Sequence, residues 1–145
     1  MAYPMLESPL GNKYFYDGKL IDCDSQEARD LAVPIEEVTY YETIRIKDGV
    51  MLYSEDHLAR LHKSVRGIEA FDVDVDKIGD DCRSFLKDIG YNVDYSGNLR
   101  IVLTKSHLLI HICEANIPTQ DKFDNGINSL TLQWERVAPN IKVFR

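Results

Sequence analysis

The residues with chemical reach are four histidines, three cysteines and a scatter of basic side chains, and most of their spacings form no recognised site. No GxGxxG, P-loop, GxSxG or HExxH is present. His107 and His111 frame a His-Leu-Leu-Ile-His stretch that on a strand puts both rings on one face. Zinc needs further ligands, and none stands at the usual spacing, so partly exposed strand histidines are the expectation and no metal is assigned. His57 and His62 diverge around a helix by more than a quarter turn and do not share a ligand. Cys23, Cys82 and Cys113 are odd in number, without CxxC spacing, and read as reduced thiols of a cytoplasmic protein.

Two neighbouring stretches carry more. Tyr40-Tyr41-Glu42-Thr43-Ile44-Arg45-Ile46 is followed by Asp48-Gly49, and then by His57-Leu58-Ala59-Arg60-Leu61. By periodicity alone Arg60 is a solvated arginine opposite the Leu58, Leu61 and Val65 stripe, and Lys142 is an ordinary surface lysine. The order of these stretches, however, resembles the class IV family of pyridoxal-phosphate (PLP) enzymes. That family comprises branched-chain and D-amino-acid aminotransferases and aminodeoxychorismate lyases. Its members carry an aromatic-Glu-x-x-Arg/Lys strand, a turn with glycine, and a helix opening His-Leu-x-Arg-Leu. The Tyr16-Asp17-Gly18-Lys19-Leu20 hairpin adds to the resemblance, which runs from about Tyr14 to Phe144.

The resemblance implies roles. Arg60 would bind the PLP phosphate, for which a guanidinium offers a rigid donor fork. Lys142, after Pro139-Asn140-Ile141, would form the Schiff base with the cofactor and carry the proton. Tyr41 and Glu42 fall where the family places a substrate-pocket aromatic and its adjoining glutamate; a packed aromatic and a structural carboxylate are the equal alternative. Replacing Arg60 would then weaken PLP binding far more than folding. Where many members carry Asp-Arg-x-x-x-Tyr-Gly-Asp-Gly, residues 34–39 read Pro-Ile-Glu-Glu-Val-Thr, so no particular substrate is implied.

The implied activity is amino transfer between an amino acid and a 2-oxo acid. A lyase is the alternative, since Glu-Thr-Ile-Arg resembles lyases at least as well as transaminases. Family members extend further and supply a glutamate for the pyridine nitrogen from their C-terminal half. The chain therefore reads as the N-terminal part of such an enzyme, inactive and holding no PLP by itself, or as a non-catalytic dimerising fragment. A homodimer is expected, with Val137, Ile141, Val143 and Phe144 as its stranded hydrophobes.

The elements that must position these residues follow from pattern. Asp17-Gly18 and Lys47-Asp48-Gly49 are hairpin turns between strands rich in β-branched and aromatic residues. Ser54 reads as a helix N-cap, with Leu58, Leu61, Val65 and Ile68 as the buried stripe. Asp74 caps a second helix carrying Val75, Ile78, Cys82, Phe85, Leu86 and Ile89, closed by Gly90. Strands are expected at Leu99–Thr104, Leu108–Cys113 and Ser129–Arg136, with Ile117–Asn128 as an irregular connector. The sum is an α+β fold with an antiparallel or mixed sheet and two helices. It divides into a domain over residues 1–122 and a connector with the start of an incomplete second domain over 123–145. A net charge of −7 without a basic cluster argues against nucleic acid, and no apolar run is long enough for a membrane span.

Overall fold

Alternation in Tyr-Tyr-Glu-Thr-Ile-Arg-Ile organises the molecule. In the computed structural model, which describes residues 2–91, 96–135, 139 and 141–143, this stretch is strand β3 (Tyr40–Lys47). Its even-numbered residues Tyr40, Glu42, Ile44 and Ile46 are buried, while Tyr41, Thr43 and Arg45 turn to the opposite, half-exposed face. β3 lies in a six-stranded sheet with β1 (Pro9–Tyr16), β2 (Lys19–Asp22), β4 (Val50–Met51), β5 (Gly97–Leu103) and β6 (Leu108–Cys113). The order is β2-β1-β6-β5-β3-β4. Every pairing is antiparallel, which decides between the two sheet types left open by the sequence.

Both hairpin turns have the backbone their residues predict, with positive φ at Asp17, Gly18, Asp48 and Gly49. The two expected helices are present, and two short ones join them: α1 (Gln26–Leu31), α2 (Ser54–Ile68), α3 (Val75–Asp88) and α4 (Gln120–Asn125). Asp74 caps α3 by accepting from the Lys77 amide at 2.9 Å. Ser54 does not cap α2. It is the first helical residue, and the cap position falls on Tyr53, in the left-handed region and without a side-chain hydrogen bond.

α2 and α3 cover one sheet face. Leu58, Leu61, Val65, Ile78, Cys82, Phe85 and Leu86 pack there on Tyr40, Ile44, Ile46, Leu99, Ile101, Ile110 and Ile112. Gly79 permits the helix contact, because a Cβ at that position would lie 3.1 Å from Leu58 Cδ1. The N-terminal segment and α1 cover part of the other face, where Met5, Leu6, Ala28 and Leu31 meet Tyr14, Ile21, Val102 and Leu109.

Three expectations change. The connector contains α4, whose start is capped by the Thr119 side chain. Residues 129–135 form no strand; Leu130, Leu132 and Trp134 are 99%, 82% and 74% exposed, and the alternating stretch pairs with neither edge of the sheet, β2 or β4. Arg136, Val137 and Phe144 lie outside the described residues. Ile141 and Val143 are not stranded: both pack against the helix-side core, and Val143 bridges to Tyr40.

Candidate functional site

A carboxylate with no exposure at the sheet–helix boundary must find cationic or polar partners, since an unpaired buried charge is costly. The alternation of β3 sends Glu42 under α2, where its side chain is 0% exposed. Helical spacing brings His57, Arg60 and Ser64 onto one flank of α2, beside the Leu58, Leu61 and Val65 stripe. Arg60 meets Glu42 as a fork, with Nε donating to Oε1 at 2.7 Å and Nη2 to Oε2 at 2.5 Å. His57 Nδ1 stands 2.9 Å from Oε2 and 3.0 Å from Arg60 Nη2. A guanidinium only donates and a carboxylate only accepts, so the arrangement closes best with the His57 proton on Nδ1, aimed at Glu42.

This clamp fixes Arg60 from one side. The hydrogen bonds it donates to Glu42 raise the guanidinium pKa further, against the opposing effect of partial burial. Its side chain is still 42% exposed. Of five N–H donors two go to Glu42 and the second on Nη2 lies against His57, leaving the pair on Nη1 for a ligand.

Lys142 approaches the same strand along its outer edge. That edge is held by β4 at the Ile46–Lys47 end and by residues 141–143 at the Tyr40 end. The Tyr41 amide donates to the Lys142 carbonyl at 3.2 Å. Ser64, fully buried, joins the two stretches: its Oγ donates to the Arg60 carbonyl at 2.9 Å and accepts from the Lys142 amide at 3.2 Å. Alternation then turns the Lys142 side chain to the face opposite Glu42, and its Nζ lies 5.4 Å from the Tyr41 ring centroid. Arg100 of β5 addresses the same ring at 5.9 Å and pairs with Glu7 at 2.8 Å.

The four residues singled out in the sequence thus form two pairs, Glu42 with Arg60 and Tyr41 with Lys142, on opposite faces of one strand. Ser64 ties the backbones of the pairs together. His57, Ser64 and Arg100 were not singled out. The i, i+3, i+7 spacing of His57, Arg60 and Ser64 was a readable signal, whereas nothing local marks Arg100.

Among the described residues the site lies along a strand edge. Four cavities of about 620, 540, 420 and 330 Å³ have walls that include none of Tyr41, Glu42, Arg60 or Lys142. The first lies between β4 and the end of α3, against Met51, Leu86 and Tyr91. His111 is buried, against the expectation of an exposed strand histidine, and His107 precedes β6 in contact with Tyr16 and Asp17. Among the described residues no group of three or more His, Cys, Asp or Glu could hold a metal, and no helix is long and apolar enough to cross a membrane.

Comparison with known proteins bears on the fold and the sequence. Two solved structures of the Escherichia coli branched-chain amino acid aminotransferase are similar in fold. One has a TM-score of 0.66 at 18% identity, covering 89% of this chain and 48% of its own. The other has a TM-score of 0.61 at 19% identity, covering 89% and 46%. A putative branched-chain amino acid aminotransferase from Thermotoga maritima has a TM-score of 0.55 at 15% identity, covering 76% and 40%. The chain therefore spans about half the length of these structures or less, and at such identities the likeness concerns the fold. No curated protein matches the chain. The sequence model for amino-transferase class IV matches residues 39–140, from the residue before β3 to the residue before Ile141. That span takes in the Glu42–Arg60 clamp and most of the chain, which accordingly belongs to the class IV aminotransferase family.

Proposed function

We propose that the chain supplies the phosphate-binding and lysine-bearing side of a PLP site, in a protein that moves an amino group between an amino acid and a 2-oxo acid. The observation that carries this reading is the Glu42–Arg60 fork. It pins a guanidinium at a strand edge with the Nη1 donors turned away from the clamp, while Ser64 ties the same helix turn to Lys142. Such a donor set fits a phosphate ester, and a lysine amine on the segment that Ser64 ties to the same helix turn fits the aldehyde of the cofactor. PLP, when bound, supplies an electron sink for the substrate's Cα.

The remaining roles belong to the chain. Arg60 binds phosphate. Glu42 and His57 act through Arg60, holding its plane and keeping it from collapsing onto solvent-exposed acids. Tyr41 holds the Lys142 amine over its ring, from which the amine accepts and returns the Cα proton. The fold neighbours' names make aliphatic, branched-chain amino acids the first substrates to assay, with the homodimer as the assembly to test. A second reading, a non-catalytic interaction module, is favoured by the exposed Leu130, Leu132 and Trp134.

Reductive trapping separates the two. The chain is incubated with PLP, reduced with borohydride and mapped by peptide mass spectrometry. Borohydride traps a transient imine even in a chain that holds no PLP stably by itself, and label concentrated on Lys142 is the expected result. Label spread over the lysines according to exposure would refute the site and leave the interaction module.

A further inference from the structure

Among the described residues two buried side-chain nitrogens have no hydrogen-bond partner: Nε of Arg100 and Nε2 of His111. Their residues stand directly opposite one another in the β5–β6 ladder. Opposed residues project from the same sheet face, here the face that carries Tyr41 and the Lys142 amine. Two unpartnered atoms on one cross-strand pair have one economical explanation, a shared small polar molecule such as water between them.

The chemistry of the two atoms is complementary. His111 Nδ1 lies 2.9 Å from the Ile112 carbonyl oxygen. A carbonyl only accepts, so Nδ1 carries the proton and, in the neutral ring, Nε2 carries a lone pair. Burial keeps the ring neutral, pushing its pKa down to about 4. Arg100 Nε–H can only donate. Arg100 also has an outer tether to Glu7, but that carboxylate is 52% exposed and such pairs hold loosely. His111 is 0% exposed and edge-on to the Tyr14 ring, so its orientation is fixed.

We propose that His111 is a positioning residue, whose Nε2 and the Arg100 Nε–H share one bridging water, which donates to Nε2 and accepts from Nε–H and so holds the guanidinium against Tyr41 beside Lys142. Four residues then form one chain across the face, His111 to Arg100 to Tyr41 to Lys142, with its fixed end in the core. The contact itself is independent of the PLP reading; its bearing on the lysine's chemistry rests on that reading.

Side-chain ¹H–¹⁵N spectra of the intact chain test it, with Arg100→Lys used for assignment. Arg100 Nε–H exchange should be slower than that of the exposed Arg83 by on the order of tenfold or more. His111→Gln, which keeps an acceptor, should preserve most of the protection. His111→Leu, which fills the space without one, should lose it while the backbone spectrum stays folded, and acylation of Lys142 should change rate in the Leu variant but not in the Gln variant. Fast exchange of Arg100 Nε–H in the unsubstituted chain would overturn the proposal, and this reading needs no variant to fold. Protection surviving His111→Leu would overturn it equally. Loss of PLP trapping with intact Arg100 protection would count against the lysine role alone.

Discussion

Arg60 is proposed to bind phosphate and is held in a fork by Glu42, which alters what its removal should do. Reading the sequence through the family makes Arg60 a ligand arginine whose loss spares the fold. Its fork onto a fully buried Glu42 means that Arg60→Met also strands a carboxylate in the core. Breaking a buried pair costs about 3–5 kcal/mol, and the partial exposure of Arg60 brings the expectation to about 2–3 kcal/mol. Urea melts should show this loss for Arg60→Met, and the double variant Glu42→Gln, Arg60→Met should recover much of it. An Arg60→Met chain as stable as the original would mean that the fork holds nothing. His111 supplies a second residue-scale prediction. Its folded pKa of about 4 lies below the ordinary 6.5, so the unfolded chain binds this proton more readily. Stability is therefore complete above pH 6.5 and falls as the pH drops towards 4, by on the order of 3 kcal/mol in total. Arg100 across the ladder sharpens the penalty, and Tyr14, the other ionisable neighbour, stays neutral there. Melts at pH 7 and pH 4.5 should differ less in His111→Gln than in the original chain; an equal acid loss would remove His111 from the account. Arg60 and Lys142 stood out in the sequence only because motif order resembled a family. The Glu42 clamp was half legible, in strand alternation and helix spacing. His111 was misread because a histidine's burial is decided by what lies across the sheet, which local sequence does not reveal.

Elements with a strong period were the readable ones. β3, β5, β6, α2 and α3 all sit close to where alternation or a helical stripe puts them, and the Asp74 cap and the Gly90 terminus hold. α1 and α4 were missed because each has six residues, too few to show a stripe; each is set by a side-chain cap, Ser25 onto the Ala28 amide and Thr119 onto the Lys122 amide. Residues 129–135 fail in the opposite way. The alternation is clear, yet a strand exists only with an edge to pair with, and that is a property of tertiary context. Ser64 decides whether the returning segment stays on β3. Ser64→Ala removes both of its hydrogen bonds and leaves the Lys142 amide without its partner. The expected cost is about 1–2 kcal/mol, concentrated at the strand edge. Hydrogen exchange at the amides of Tyr41 and Lys142 should accelerate while that of β5 and β6 does not. Uniform acceleration, or none, would show that Ser64 does not link the two halves of the site.

The whole molecule buries one core against α2 and α3 yet leaves a run of apolar side chains in water. Phe123, Ile127, Leu130, Leu132 and Trp134 are each at least two-thirds exposed, and exposed apolar stretches of this kind tend to find partners. Self-association is therefore expected, carried by these residues rather than by Ile141 and Val143, which the core already holds. Sedimentation over a concentration series should show a dimer that weakens when Leu130, Leu132 and Trp134 are changed to serine; a monomer throughout, in spite of the exposed run, would contradict it. The fold class was legible at this scale, because hairpins and two amphipathic helices leave few alternatives, while the strand order and the covered face were not. The central claim is that Arg60 and Lys142 act on one ligand. It is tested most directly by the rates at which PLP and phosphate-free pyridoxal label Lys142, in the original chain and in folded Arg60→Met. A charge-assisted contact to phosphate is worth about 1.5–3 kcal/mol, so the preference for PLP should fall by about tenfold to a hundredfold when Arg60 is lost. A preference for PLP at Lys142 that is the same with and without Arg60 would contradict the account.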